Sequence, residues 1–126
     1  MTIDEFGPFE GDLSADAAFD ELSTVVKNIA QRNDDLTDLK GFCSVDVPSV
    51  RANVVMLTNL ITTYGGGAAH ITEKRFTAWA DAIRKTFVEE DKWGFEPWPE
   101  AEKQAWLEAC NADLILLQTA VEYAWD

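Results

Sequence analysis

One histidine, two cysteines, 23 carboxylates and a run of three glycines are the residues from which this chain of 126 could build chemistry. Cys43 stands in Gly41-Phe42-Cys43-Ser44 and has the look of a nucleophile, but its base would have to be His70, and nothing in the order of residues brings the two together. Cys43 and Cys110 share no C-x-x-C spacing, and two cysteines cannot make a disulfide framework of the secreted kind, so reduced thiols are expected, with one bridge or one reactive thiol as the alternatives. A zinc protease helix needs two histidines one turn apart, and a carboxylate-bridged di-iron bundle needs Glu-x-x-His pairs on facing helices. Neither pattern occurs. Asp34, Asp35 and Asp38 lack the alternation and the glycine of a calcium loop and read as a solvated loop. Gly65-Gly66-Gly67 follows no strand and precedes no Lys-Ser/Thr, so it reads as a helix stop and a flexible joint rather than a phosphate cradle. The G-x-S-x-G elbow is missing, and choosing a glycosidase pair among 23 acids would be arbitrary. No catalytic residue, cofactor or metal is expected, and His70 reads as a surface or capping histidine.

The elements that must carry these residues are helices. Residues 1–13 mix Gly, Pro and acids with Phe6 and Phe9, an irregular arm whose phenylalanines dock it on the body. Ser14 offers an N-cap, and Ala18, Leu22, Val25 and Ile29, flanked by Phe19 and Val26, form a stripe ending near Arg32 or Asn33. Asn33 to Pro48 reads as loop, with a short helical turn at Leu36–Lys40. Asp46 caps a second helix with Pro48 in its first turn and Val50, Val54, Leu57, Ile61 and Tyr64 on its inner face, stopped at Gly65. Thr72 caps a third, with Phe76, Trp79, Ala80, Ile83 and Phe87. Asp91 to Pro99 breaks the pattern, and Pro99 starts a last helix with Ala105, Trp106, Ala109, Cys110, Leu114, Leu117, Val121 and Ala124. That helix is long enough to bend near Asn111–Asp113. Together these give an all-α, four-helix bundle-like single domain over 1–126 with an irregular N-terminal arm.

Two features remain once the helices are placed. Trp93, Phe95 and Trp98 sit within six residues of a Gly/Pro loop. They read first as a plug for the open end of the bundle, with one tryptophan partly exposed, and second as a contact patch for a partner. The other feature is charge. The chain carries −13 overall. Residues 1–50 hold 11 acids and 3 bases, residues 51–100 hold 7 and 6, and residues 101–126 hold 5 and 1. The acidity therefore belongs to the arm, the first helix, the first loop and the last helix. Such a balance excludes direct nucleic-acid binding, which needs a basic footprint, and argues against anionic membrane surfaces. Thirteen charges match the phosphates on roughly 22 Å of duplex, against a folded diameter of about 36 Å for this length.

At the N-terminus, Phe6-Gly7-Pro8-Phe9-Glu10-Gly11-Asp12, then Ala17-Ala18-Phe19 and Glu21-Leu22, resembles an uncharacterised bacterial family of small acidic proteins opening with W-G-x-G-x-F-[DE]-x-D and an alanine-rich helix. Phe6 stands where Trp-Gly is expected, and Leu13-Ser14 shifts the helix register. The resemblance covers about 20 of 126 residues; it implies an all-α fold and no activity.

The function expected from these residues is that of a cytoplasmic, non-enzymatic acidic interaction protein that occludes a basic surface of a protein partner. Phage-type inhibitors of restriction or CRISPR machinery and immunity proteins of nuclease toxins act in this way. Glu10, Asp12, Asp16, Asp20, Asp34, Asp35 and Asp38 are the expected contact acids, with Trp93 and Trp98 as the aromatic candidates. Asp34, Asp35 and Asp38, as exposed loop charges, are expected to contribute little to folding. A small ligand-binding or enzymatic module with a carboxylate-lined pocket is the alternative, and charge that serves solubility alone is the simplest competing account.

Overall fold

A computed structural model describes residues 12–43, 45–88 and 99–125, with side chains from residue 20 onward. Four helices account for most of them: α1 (Asp12–Thr37), α2 (Val47–Tyr64), α3 (Glu73–Val88) and α4 (Glu100–Val121). Short 3-10 turns at Ala68–His70 and Glu122–Ala124 complete the set, and the described residues contain no strand. The motif of residues 6–11 and the loop bearing Trp93, Phe95 and Trp98 lie outside the described residues.

The inner faces follow the sequence periodicity, with two shifts. All five apolar positions expected in α3 are buried, as are Val50, Val54, Leu57 and Ile61 of α2, while Tyr64 at the end of the same expected row is exposed. In α1 the buried row is Leu22, Val26, Ile29 and Ala30, while Val25 stays 42% exposed. Adjacent valines look alike in the sequence, and only packing chooses between them. In α4 the core takes Cys110, Leu114, Leu117 and Val121; Ala105 and Ala124 are exposed and Ala109 is half-buried. This helix is continuous through Asn111–Asp113, and its winding changes only after Val121.

Helix α1 also departs from expectation at both ends. It begins two residues before Ser14, and it runs through Asn33, Asp34 and Asp35 to Thr37 where a loop was expected. Asn and Asp are mediocre helix formers because their side chains compete for backbone groups. Here the Asn33 and Asp34 side chains are engaged by other helices. Asn53 of α2 donates its Nδ2 to Asn33 Oδ1 at 2.7 Å, with both residues buried. Asn33 Nδ2 has no partner among the described residues. Leu36 packs on the core, and Thr37 Oγ1 donates back to the Asn33 carbonyl.

Helix α2 packs on α1 and α4, and α3 packs on the same two, so the order around the bundle is α1, α2, α4, α3. Val26 meets Gly67 and Asn33 meets Asn53, which sets α2 antiparallel to α1. Ser23 meets His70 and Asp34 meets Trp79, so α3 runs alongside α1 in the same sense. Helices α2 and α3 therefore lie on a diagonal, and the connection Gly65–Thr72 crosses one end of the bundle. Its Ala68–His70 turn packs on α1 and α4, burying Ala68 and Ile71. The Trp125 indole N–H closes the same end by donating to the Ile71 carbonyl at 2.8 Å.

That geometry corrects the reading of the glycine run as a flexible joint. Gly65 ends α2 at φ 75°, with its N–H on the Ile61 carbonyl at 2.8 Å. Gly67 sits at φ 87°, where an added Cβ would lie 2.9 Å from Val26 Cγ2. Gly65 needs its glycine for conformation alone, since nothing lies within 4 Å of its Cβ position. Gly67 needs it for conformation and for space. Gly65→Ala is expected to cost about 1 kcal/mol. Gly67→Ala adds the overpacking penalty to that, for a total of about 2–3 kcal/mol by urea unfolding. Equal losses at the two sites would mean that the crossover yields freely.

Candidate functional site

The densest polar arrangement lies where the C-terminal end of α1 meets the N-terminal end of α3. Thr72 caps α3 as expected: its Oγ1 accepts the Arg75 backbone N–H at 3.2 Å. That cap aims the Arg75 side chain across to α1. Its Nε donates to Asp34 Oδ2 at 2.8 Å, Nη1 to the His70 carbonyl at 2.9 Å and Nη2 to Gln31 Oε1 at 3.5 Å. The second oxygen of Asp34 accepts the indole N–H of the fully buried Trp79 at 2.9 Å.

Asp34 is thus a helical, inward-turned residue whose two oxygens are both engaged, which corrects its placement in a solvated loop. Asp35, one position round the helix, is exposed and accepts only from Gln31 Nε2 at 3.1 Å on its own helix. Asp38 is exposed in the turn that follows α1. A groove of about 440 Å³ between these elements is lined by Asp34, Thr37, Asp38, Thr72, Lys74, Arg75 and Ala78. Two acids and two bases line it, so its carboxylates are balanced.

The remaining candidate acids are strung along α1 rather than gathered. Asp20 is exposed about 22 Å along the helix axis from Asp35. Asp12 and Asp16 occupy the preceding turns of α1 at four-residue spacing. The side chains of Asp12 and Asp16 lie outside the described residues, as do Glu10, Trp93 and Trp98 entirely. Exposed Lys27 and Arg32 interrupt the row. Beside α1, α3 carries Lys74, Arg75, Arg84 and Lys85 against Glu73 and Asp81, so the described surface is polarised between a mildly basic α3 and an acidic α1.

His70 and Cys43 each find partners of their own. Ser23 Oγ and His70 Nε2 share a hydrogen bond at 2.7 Å between α1 and the crossover, a pair 47 positions apart that no local motif announces. The Cys43 backbone N–H and thiol both donate to Asp46 Oδ2, at 3.1 and 3.7 Å. Asp46 was expected to cap α2 forward, but its carboxylate turns back to the preceding loop and makes no cap bond to the helix. Arg51 donates to Asp113 at 2.6 Å and lies 5.1 Å from the centre of the Trp106 ring, tying α2 to α4. No group of three or more potential metal ligands occurs among the described residues.

Burial pushes the Cys110 thiol up from 9.0 to about 11, opposed in part by Arg51 and reinforced by Asp113. Native protein at pH 8 is therefore expected to show one thiol reactive toward a disulfide reagent, Cys43, and two after denaturation. Because the folded-state value lies above the unfolded one, this thiol's contribution to stability is complete below pH 9 and is lost as pH rises toward 11. A Cys110→Ala chain should lose less stability over that range. Rapid titration of both thiols in the native protein would contradict the assignment.

Within the described residues no helix is long and apolar enough to cross a membrane. Comparison of the chain with protein-family models, with curated proteins and with solved structures finds no match in any of the three.

Proposed function

We propose that this chain is a non-enzymatic acidic interaction protein that binds and occludes a basic surface of a protein partner, with the outward face of α1 as the contact. The observation that carries this reading is the exposure of Asp20, Glu21 and Asp35 along α1 and of Asp38 in the turn that follows it, in a stretch, residues 1–50, with 11 acids and 3 bases. A basic partner gains from such a face chiefly in encounter rate and orientation. The arrangement suits an inhibitor of a nucleic-acid-directed defence protein, or an immunity protein that covers a nuclease toxin, where the acids take the place of phosphates. Two free thiols accord with a cytoplasmic setting. Asp34 supports the face from within and is not a contact acid, because Arg75 and Trp79 hold both of its oxygens.

The test is affinity capture from a lysate, followed by association kinetics on the purified partner. Asp20→Asn, Asp35→Asn and Asp38→Asn combined should slow association about tenfold or more while leaving the melting temperature unchanged. Raising salt from about 0.1 M to about 1 M shortens the Debye length from about 10 Å to about 3 Å and should slow wild-type association likewise. A partner whose association rate ignores both changes would refute the proposal.

A further inference from the structure

We infer that the α2/α4 face is a self-association surface, on which two copies of this chain pack their α4 helices antiparallel about a two-fold axis. The inference is independent of the reading of α1.

The starting observation is a second row of residues on α4. Its inward row makes the core. An outward row, Ala105, Ala109, Ala112, Leu116, Thr119 and Tyr123, advances in steps of four and three, which is the spacing of a helix–helix seam. None of the six is charged. Leu116 is 59% exposed and Tyr123, in the 3-10 turn that continues α4, is 73% exposed. Beside this row, α2 presents no charged residue from Ala52 to Tyr64 and exposes Val55. The single charge of α2, Arg51, is turned onto Asp113, the only charged residue between Ala109 and Val121. A chain in which 26% of residues are charged thus keeps one long face almost free of charge.

The order of sizes within the row identifies the occupant. Small residues fill its first half and larger ones its second. When two α4 helices pack antiparallel with the axis at the level of Leu114, Ala105 meets Tyr123 of the other copy, Ala109 meets Thr119 and Ala112 meets Leu116. Each small residue faces a larger one, and each contact occurs twice, as an isologous interface requires. An uncharged face has nothing to offer a charged partner. For a chain of −13 it is a face on which a second copy can settle without bringing rows of carboxylates together. Two helices about 30 Å long and about 9 Å apart present a footprint on the order of 600 Å² in projection, comparable with the roughly 800 Å² per partner of a standard interface.

Glu108 and Glu122 border the row, held along their own helix by Gln104 and Gln118. The two-fold brings Glu108 of one copy toward Glu122 of the other at the rim. Added salt therefore tightens the dimer, the reverse of its effect on capture of a basic partner.

Sedimentation equilibrium on the full chain tests this. The expected mass is twice the 14.0 kDa of the monomer, with a dissociation constant that falls as salt rises. Ala112→Glu with Leu116→Glu should raise that constant at least a hundredfold while the far-UV circular dichroism stays that of the wild type. In a Cys43→Ser background, a mixture of Ala112→Cys and Leu116→Cys chains should oxidise to the mixed bridge in preference to either like pair. A monomer at every concentration, a dimer indifferent to the double glutamate variant, or preferential like-pair bridging would each overturn the proposal.

Discussion

Trp79→Ala is expected to lower the unfolding free energy by about 3–5 kcal/mol, the range for removing a buried aromatic from a core that cannot collapse around the loss. Trp79 is fully buried among Phe76, Ala80 and Ile83 of its own helix and the core residues of α1 and α4. It fills space, and its indole N–H also fixes the Asp34 carboxylate. Trp79→Phe keeps most of the ring volume and loses the donor, so it should cost clearly less, about 1–2 kcal/mol. Urea unfolding followed by circular dichroism compares the two. A loss for Trp79→Ala no larger than for Trp79→Phe would show that volume is not what the site depends on.

Asp34→Ala is expected to cost about 2 kcal/mol, while Asp35→Ala, on the next residue, changes stability by less than about 0.5 kcal/mol. The contrast follows from what each carboxylate touches. The Asp34–Arg75 pair is about 30% exposed on each side, so its charge–charge share is small. The larger share comes from leaving the N–H of a fully buried tryptophan and one arm of the guanidinium without an acceptor. Asp34→Asn retains an oxygen for Trp79 and should recover about half of the loss. Were Asp34 and Asp35 to prove equivalent, the linkage between α1 and α3 described above would be wrong. The same contrast separates folding from recognition: neutralising Asp34 with its neighbours would confound the two, whereas Asp20, Asp35 and Asp38 can be changed together without touching a bond between helices.

How much of this was legible in the sequence depends on how local its cause is. The rows of α2 and α3 were, Tyr64 apart, because aliphatic and aromatic spacing is a property of ten consecutive residues, and Pro48 and Gly65 mark ends by backbone conformation and Thr72 by its hydroxyl. The last turn of α1 was not. Asn33, Asp34 and Asp35 carry loop-forming preferences, and what overrides them is Asn53, Arg75 and Trp79, 20 to 45 positions away. Gly67 failed for the same reason, since the close approach of Val26 has no local signature. Asp46, expected to cap α2, makes no side-chain cap bond to it and accepts from Cys43 instead. In α4 two apolar rows on opposite faces were merged into one core list, and only burial separates Cys110, Leu114 and Leu117 from Ala105 and Ala109. Of the contact acids, Asp20, Asp35 and Asp38 are exposed as expected and Asp34 is not.

The amide pair between α1 and α2 bears on which structures the chain avoids. Asn53 donates to Asn33 Oδ1 within an otherwise apolar stretch, and the net contribution of one such bond to the folded state is only about 1 kcal/mol. Valine and isoleucine rows slide past one another at modest cost, and a slip of one helical turn, about 5.4 Å, would still set apolar against apolar here. It would also separate the two amides and bury both without partners. A lone polar contact in an apolar seam thus widens the gap between the correct alignment and its nearest competitors, so that the chain has one register to settle into.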